Sequence, residues 1–161
     1  MLTKIQLIDM KDGAFHPANS PVVADGQGGL VIVNEETRYV FLEPFSYVGE
    51  VECASGSSRA YMPVPPELDQ ASLTYVRAMA KTAGITGTMS IMVYNETQAV
   101  EMLSTPVSVD SNDTDSNDAS TPPVIKSNGD EVVFEGDLVR LDFQDTQAIP
   151  ARGCIFIAGF R

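Results

Sequence analysis

The residue types that could bind a metal ion are concentrated in one short run of this sequence, DSNDTDSND, which extends from Asp110 to Asp118. The run holds four aspartates and two asparagines, and Ca²⁺ takes about six to eight oxygen ligands of this kind. An EF-hand frame can start at Asp110 or at Asp113. Both frames then fail, because the sixth position holds aspartate where glycine is required, and the twelfth holds Thr121 or Val124 where glutamate is required.

The same run also has the composition of a solvated loop between strands. Aspartate and asparagine tolerate turn conformations, and their charge discourages an exposed sandwich end from pairing with a neighbouring molecule. We therefore predict a solvated loop and no metal site, with irregular capture of calcium by the residues from Asp110 to Asp118 as the alternative.

No other part of the sequence predicts catalysis. His16 is the only histidine, and it lies in the turn-rich stretch AFHPANSP without an acidic or cysteine motif around it. The glycine-rich DGQGG at residues 25–29 lacks the lysine and the strand-to-helix context of a phosphate-binding loop. We expect no catalytic residue, no cofactor and no enzymatic activity.

Cys53 and Cys154 are too far apart in the sequence, and too few, for a metal cluster or a CxxC redox motif. A buried cysteine behaves as a small hydrophobic residue. We therefore expect two buried, inert thiols, with a disulfide between them as the alternative.

The chain is strongly and locally acidic. Its formal net charge is −12 and its pI is about 4.2, so it would repel nucleic acids and anionic lipids. Eleven of the 22 acidic residues fall between Glu101 and Asp145, where only Lys126 and Arg140 oppose them. The first residues lack the pattern of a signal peptide, and no stretch approaches the length of a membrane span. We expect neither secretion by the usual route nor a membrane or nucleic-acid partner.

Short runs of β-branched and aromatic residues, separated by turn-rich stretches, predict an all-β protein. The candidate strands are residues 3–9, 29–34, 38–43, 49–54, 58–64, 87–95, 105–110, 131–134, 137–143 and 153–160. In residues 138–143 alternate positions are apolar, which predicts a strand with one wet face. In the last run Ile155, Phe156 and Ile157 are consecutive, which predicts a central strand that is covered on both faces.

Residues 68–83 fit two patterns. Leu68, Leu73, Val76 and Met79 recur near helical spacing. A strand over residues 71–82 would instead place Leu73, Tyr75, Arg77 and Met79 on one face and Val76, Ala78 and Ala80 on the other. Periodicity alone leaves both open.

Two stretches carry a family pattern. A TAG-x-x-G turn at Thr82–Gly87 is followed by an N-x-T-x-x-V-x-M-L-S-T segment at Asn95–Thr105. The tail VFEGDLVRLDFQDTQAIPARGCIFIAGF follows a pattern of small turn, alternating strand, polar loop and final apolar strand. Over residues 50–161 the chain resembles the jelly-roll β-sandwich domains of tailed-bacteriophage structural proteins.

Gly84 and Gly87 flank a short turn, which predicts a hairpin between residues 71–82 and 88–94. The resemblance does not cover residues 1–34, and residues 11–29 are too irregular for a regular element; this part would be an extended attachment arm that binds another protein or an ordinary long loop packed on its own domain. The resemblance implies a jelly-roll-like antiparallel β-sandwich over residues 35–161, with residues 71–82 as a strand. It also implies a non-enzymatic capsid decoration, cement or head-fibre protein. Such a protein would assemble onto the virion in the host cytoplasm, as a homotrimer bound to the major capsid protein or other virion proteins. The alternative is a receptor- or glycan-binding module of a tail fibre, although the chain has no tryptophan and no shaft repeats.

A calorimetric titration with Ca²⁺ distinguishes the two interpretations of the aspartate run. We expect neither heat of binding nor an increase in thermal stability, because both EF-hand frames lack their required residues. A saturable heat signal together with stabilisation by Ca²⁺ would contradict the solvated-loop prediction.

Overall fold

The computed structural model describes residues 37–161 throughout and, before them, the backbone of two short strands. Contacts within the chain divide it into two units, Met1–Glu36 and Thr37–Arg161. In the first unit β1 (Val22–Ala24) pairs antiparallel with β2 (Leu30–Ile32). Residues 11–29 were expected to be too irregular for a regular element, so the strand β1 corrects that expectation. The predicted strand at residues 3–9 and His16 lie outside the described residues.

The second unit is built almost entirely from strands. They are β3 (Arg38–Phe45), β4 (Gly56–Pro63), β5 (Leu73–Thr82), β6 (Thr88–Asn95), β7 (Val100–Glu101), β8 (Leu103–Thr105), β9 (Val107–Asp110), β10 (Val124–Ile125), β11 (Leu138–Asp145) and β12 (Arg152–Phe160). Two single 3₁₀ turns, Pro66–Leu68 and Ser116–Asp118, are its helical elements. Among the residues that the structure describes, no helix has the length and apolar character needed to cross a membrane.

The long strands form two antiparallel sheets. Sheet I has the order β3, β12, β5, and sheet II has the order β4, β11, β6, with β7 and β9 both paired to β6. The strands β3, β4, β5 and β6 alternate between the two sheets, and β12 returns to lie beside β3. This alternation and return are those of a jelly roll. The predicted all-β, jelly-roll-like antiparallel sandwich is confirmed.

The core lies between the two sheets. Phe45 of sheet I and Phe143 of sheet II meet edge to face, with ring centroids 5.0 Å apart, a favoured geometry for aromatic pairs. The largest side chains that are fully buried in this core are those of Phe156, Phe160, Leu73, Met89, Ile91, Met102, Leu103 and Leu141. Burial of these apolar groups is the main favourable contribution to the folding free energy.

Two sequence patterns identified their strands correctly. In β11 the residues Val139, Leu141 and Phe143 are buried while the positions between them are partly exposed, as alternation predicts. The strand β12 is the middle strand of sheet I, as its consecutive apolar residues predicted.

The segment 68–83 resolves as a strand, but one of its residues faces the other way. Phe160 pairs with Leu73 whereas Gly159 pairs with Tyr75, so the register shifts at Thr74. This irregularity turns Leu73 into the core, where it is 2 % exposed. The expectation that Leu73 shares a face with Tyr75 is therefore wrong.

The predicted hairpin between residues 71–82 and 88–94 is also wrong. β5 belongs to sheet I and β6 belongs to sheet II, so the turn between them crosses the end of the sandwich. Gly87 has a φ of +87° there, and a Cβ on it would press on the carbonyl oxygen of Thr146. The turn glycine was correctly located, but glycine spacing does not reveal which sheet the next strand joins.

Two other candidate strands are loops that make single bridges. Residues 47–50 form a turn, and Glu52 alone bridges to Arg152. In residues 131–134 only Val132 forms a bridge, to Ser72, because the N–H of Phe134 donates to a side chain instead of a strand neighbour.

The carboxylate of Asp137 accepts this hydrogen bond from Phe134 and organises the turn before β11. It is 5 % exposed and accepts hydrogen bonds from Asn95 Nδ2 at 2.8 Å, Gln98 Nε2 at 2.5 Å and the Phe134 N–H at 2.9 Å. Burial by itself would raise the pKa of Asp137, but the three donors outweigh it and hold the pKa below the ordinary value. The carboxylate is therefore ionised and satisfied in the folded protein.

The substitution Asp137→Asn is expected to destabilise the protein at neutral pH by about 1–3 kcal/mol, since an amide cannot accept from three donors. Because the pKa of Asp137 is lower in the folded than in the unfolded protein, its ionised carboxylate stabilises the fold above the unfolded pKa of 3.8. This stabilisation is lost as the pH falls through the folded pKa. The free energy of unfolding, measured with urea between neutral pH and about pH 2, should fall less steeply with decreasing pH in the variant than in the wild type. The control is Glu135→Gln, at an exposed carboxylate nearby, and its unfolding free energy should depend on pH as that of the wild type does. If the unfolding free energy of the Asp137 variant fell with pH as steeply as that of the wild type, the prediction would be contradicted.

Candidate interaction surface

Apolar side chains form a contiguous patch on the outward side of sheet I. Its members share this side because they occupy paired or alternate positions on three neighbouring strands. They are Tyr39, Phe41, Tyr75, Met79, Ile155 and Ile157, here called the apolar face. Phe41 is 67 % exposed and Tyr39 is 54 % exposed, and the other members are partly buried.

Strand register assembles the apolar face from distant parts of the sequence. Phe41 of β3 lies opposite Ile157 of β12, and Ile155 lies opposite Met79 of β5. In each strand the intervening residues point into the core, as Phe156 does with no exposure. β12 therefore presents apolar side chains on both of its sides.

Gly159 allows two aromatic rings to meet on the apolar face. It pairs with both Tyr39 and Tyr75, and a Cβ built on it would meet Tyr75 Cβ at 2.9 Å and Tyr39 Cε1 at 3.1 Å. The two tyrosine rings pack edge to face with centroids 5.8 Å apart. The missing side chain at Gly159 therefore keeps this end of the face covered by ring surface.

Arg77 stands among these apolar residues, and its charge is neutralised by the aspartate run. Its Nε donates to Asp115 Oδ1 at 3.0 Å, and its Nη2 donates to Asp115 Oδ2. These hydrogen bonds raise the pKa of Arg77 and lower that of Asp115. A bidentate pair of this kind fixes both side chains.

The aspartate run is not simply a solvated loop, because part of it covers the edge of β5. The N–H of Ala80 donates to the carbonyl of Thr114 at 2.8 Å, and that of Ala78 donates to Ser116 Oγ at 3.0 Å. Met79 and Asp115 form an antiparallel bridge, and Ser116 is buried. The loop therefore serves as a short additional strand for sheet I.

Asp110, the first carboxylate of the run, also has protein partners. The N–H of Ser120 donates to Asp110 Oδ2 at 2.7 Å, and Thr88 Oγ1 donates to Oδ1 at 3.4 Å. These bonds, led by those from Ser120, lower the pKa of Asp110. Among the described residues, no group of three His, Cys, Asp or Glu side chains is placed to hold a metal ion.

The opposite edge of sheet I is formed by β3. In the part of the chain that the structure describes, β3 pairs with β12 and with no strand on its other side. A strand edge of this kind presents free N–H and C=O groups that can pair with another chain. The exposed rings of Tyr39 and Phe41 lie on this same strand.

The outward side of sheet II is polar. Arg140 lies between Tyr61 and Tyr94 in the strand register, with its guanidinium 4.3 Å from the Tyr94 ring centroid. It also pairs with Asp142 at 3.1 Å and with Glu96 at 3.6 Å. A shallow cleft of about 270 Å³ includes Asp142. It is lined by Ser90, Met92, Glu101, Pro106, Asp142, Phe143 and Gln144.

The sequence contained a signal for the apolar face. The consecutive apolar residues Ile155 to Ile157 predicted a strand covered on both faces, whereas the described residues leave its outward side open. The run from Tyr39 to Leu42 is also continuously apolar and so fills both sides of β3, but the prediction of that strand did not use this. The predicted thiols, Cys53 and Cys154, are free and buried as expected.

Comparison of the chain with models of known protein families and with curated proteins finds no match. The geometry distinguishes two surfaces: an apolar face beside an open strand edge on sheet I, and a polar cleft on sheet II. The first is suited to burying surface against another protein, and the second to hydrogen bonding with a polar ligand.

Replacing Asp115 by alanine is expected to lower the free energy of unfolding by about 1–3 kcal/mol, because it leaves the partly buried Arg77 without its bidentate acceptor. It also removes the side-chain cap of the turn Ser116–Asp118. Asp118→Ala, an exposed carboxylate in the same run, serves as the control and should change stability by less than about 0.5 kcal/mol. Equal effects of the two substitutions in chemical unfolding would refute a structural role for the Arg77–Asp115 pair.

Proposed function

We propose that this protein is a non-enzymatic structural protein of a tailed-bacteriophage virion, of the capsid decoration, cement or head-fibre type. The observation that carries the proposal is the apolar face of sheet I, taken together with the resemblance of the sequence over residues 50–161 to phage structural domains. Its partners would be the major capsid protein or other virion proteins, and it would join the virion in the host cytoplasm.

The apolar face has the composition of a protein-binding surface. Aromatic residues and methionine are enriched in the buried centres of protein interfaces, and charged residues are depleted there. The face combines Tyr39, Phe41, Ile157 and Met79 with one arginine whose charge is already paired. Removing this area from water would drive association without a preformed ligand pocket.

Charge is distributed unevenly between the sheets. The strands of sheet I carry four cationic residues and one acidic residue, which are Arg38, Arg77, Lys81, Arg152 and Glu43. The strands of sheet II carry Arg59 and Arg140 against Glu101, Asp110, Asp142 and Asp145. Salt bridges pair three of the sheet I cations, Arg77, Lys81 and Arg152, with Asp115, Glu50 and Glu52 of the adjoining loops. Docking through sheet I would turn the acidic sheet II outward.

The open edge of β3 offers a second means of attachment. A strand from a capsid subunit, or from another copy of this protein, could pair with it by backbone hydrogen bonds. Assembly as a homotrimer on the head would place several such edges together and multiply weak contacts. Residues 1–34 remain part of the proposal as an attachment arm.

A second candidate function is binding of a receptor or glycan as a module of a tail fibre. It is favoured by the cleft on sheet II, where Ser90, Glu101, Asp142 and Gln144 supply hydroxyl, carboxylate and amide groups. Such groups bind sugar hydroxyls, and Tyr61, which is 45 % exposed on the same side, offers a ring for stacking.

A binding assay with reciprocal variants tests both candidates. Phe41→Glu is expected to weaken binding to DNA-filled, tail-less heads that lack this protein by at least about tenfold, because it replaces the most exposed ring of the apolar face by a charge that docking would bury. Co-sedimentation of labelled protein with the heads measures the change. Since Phe41 is largely exposed, thermal unfolding of the variant should match that of the wild type.

Two variants serve as controls for the same substitution. Val48→Glu, in a turn where the side chain is 84 % exposed, and Tyr61→Glu, on sheet II, should both retain wild-type head binding. Wild-type affinity of the Phe41 variant, or no binding of the wild-type protein to heads, would refute docking through the apolar face. Binding of the wild-type protein to host cells or glycans that is lost in the Tyr61 variant would establish the second candidate instead.

A further inference from the structure

The two cysteines lie against each other in the core. Cys53 and Cys154 both have no exposed surface and belong to the same buried cluster, and the Cys53 thiol raises the pKa of Cys154. Cys154 lies 101 positions after Cys53 in the sequence. The fold, and not local chain geometry, therefore brings them together.

A short antiparallel ladder positions Cys53. The N–H of Cys53 donates to the carbonyl of Ala151 at 2.9 Å, and that of Gly153 donates to the carbonyl of Val51 at 2.8 Å. Between these bonds Glu52 and Arg152 form a bridge and point to solvent. Since neighbouring residues of a strand point to opposite sides, Cys53 points into the core.

A backbone irregularity positions Cys154. By simple alternation Cys154 would point outward with Arg152, but Gly153 between them has a φ of +61°. A Cβ on Gly153 would meet Tyr47 Cα at 2.8 Å, so the position is built for glycine. This left-handed residue shifts the alternation and turns Cys154 into the core beside Cys53.

We propose that Cys53 and Cys154 form an intramolecular disulfide when the protein folds in the presence of a disulfide oxidant such as oxidised glutathione. One thiol gives its proton to water and attacks a sulfur of oxidised glutathione, which releases one glutathione thiolate and leaves a mixed disulfide. The other thiol loses its proton and attacks the mixed disulfide, which releases the second glutathione. The chain loses two protons and two electrons, and oxidised glutathione takes them up to become two glutathione thiols.

The bond forms readily during folding and slowly afterwards. The adjacent Cys53 thiol and then burial raise the pKa of Cys154 above its ordinary value, so the attacking thiolate is scarce in the native core. Access by the oxidant to side chains without exposed surface requires the structure to open. Folding in an oxidising buffer avoids both barriers.

The disulfide would fasten the loop before β4 to the start of β12. A bond that closes so long a loop restricts the unfolded chain and so stabilises the folded one. If the chain belongs to a virion, it would fold with free thiols in a reducing cytoplasm and acquire the bond outside the cell. That sequence of events rests on the proposed function, whereas the bond itself does not.

The experiment is refolding of the full-length protein from denaturant, with oxidised and reduced glutathione or with reductant alone. With glutathione, we expect titratable thiols to fall from two to none per chain, as the two cysteines of the sequence require. Peptide mapping without reduction should yield the peptide of Cys53 joined to that of Cys154. The thermal midpoint should rise by roughly 10 °C over the reduced protein.

The single variants Cys53→Ala and Cys154→Ala are matched controls, because each keeps one thiol and should show no internal bond and no such rise. Peptide mapping of the wild-type protein decides the question even if a variant fails to fold. Two free thiols after refolding with glutathione, bonds formed mainly between chains, or an oxidised protein less stable than the reduced one would each overturn the proposal.

Discussion

The sandwich depends on one strand, β12, being apolar on both of its sides. Towards sheet II its residues Phe156 and Phe160 fill the core, and away from it Ile155 and Ile157 form the centre of the apolar face. β3 and β5 are both paired to β12, so the same strand holds sheet I together. Its inward residues thus assemble the core by the hydrophobic effect, while its outward residues, which point to the other face of the sheet, supply the apolar area on the outside.

The two edges of sheet I differ in whether described residues cover them. The β5 edge is closed by residues of the aspartate run, with Asp115 neutralising Arg77 and Thr114 accepting a backbone hydrogen bond. The β3 edge has no such cover among the described residues. Natural β-proteins often cover a sheet edge with a loop, and the aspartate run covers the β5 edge in this way.

Much of the fold could be read from the sequence, because apolar alternation responds directly to burial. The alternation of β11 and the continuous apolar run of β12 identified a half-exposed and a central strand. The partner of each strand could not be read, because pairing in a jelly roll is set by contacts between distant residues. For this reason β5 and β6 were expected to pair, although they lie in different sheets.

The site was harder to predict than the fold. An exposed apolar face and a buried strand produce the same consecutive apolar residues, and only the structure distinguishes them. The aspartate run suggested a metal ligand set or a solvated loop, whereas the use of Asp115 depends on Arg77, which lies 38 positions away. The shift at Thr74 that buries Leu73 has no local signal, since it arises from the pairing with β12.

The position of β12 in the sequence also constrains how the protein is made. β12 follows β3 and β5 in the sequence, and both of these strands are paired to it. During translation the ribosome therefore releases β3 and β5 long before the strand that joins them exists. Tyr39 and Phe41 remain in contact with water and with other nascent chains throughout that interval. Sheet I can form only after β12 has been synthesised, and until then its apolar strands are exposed to aggregation.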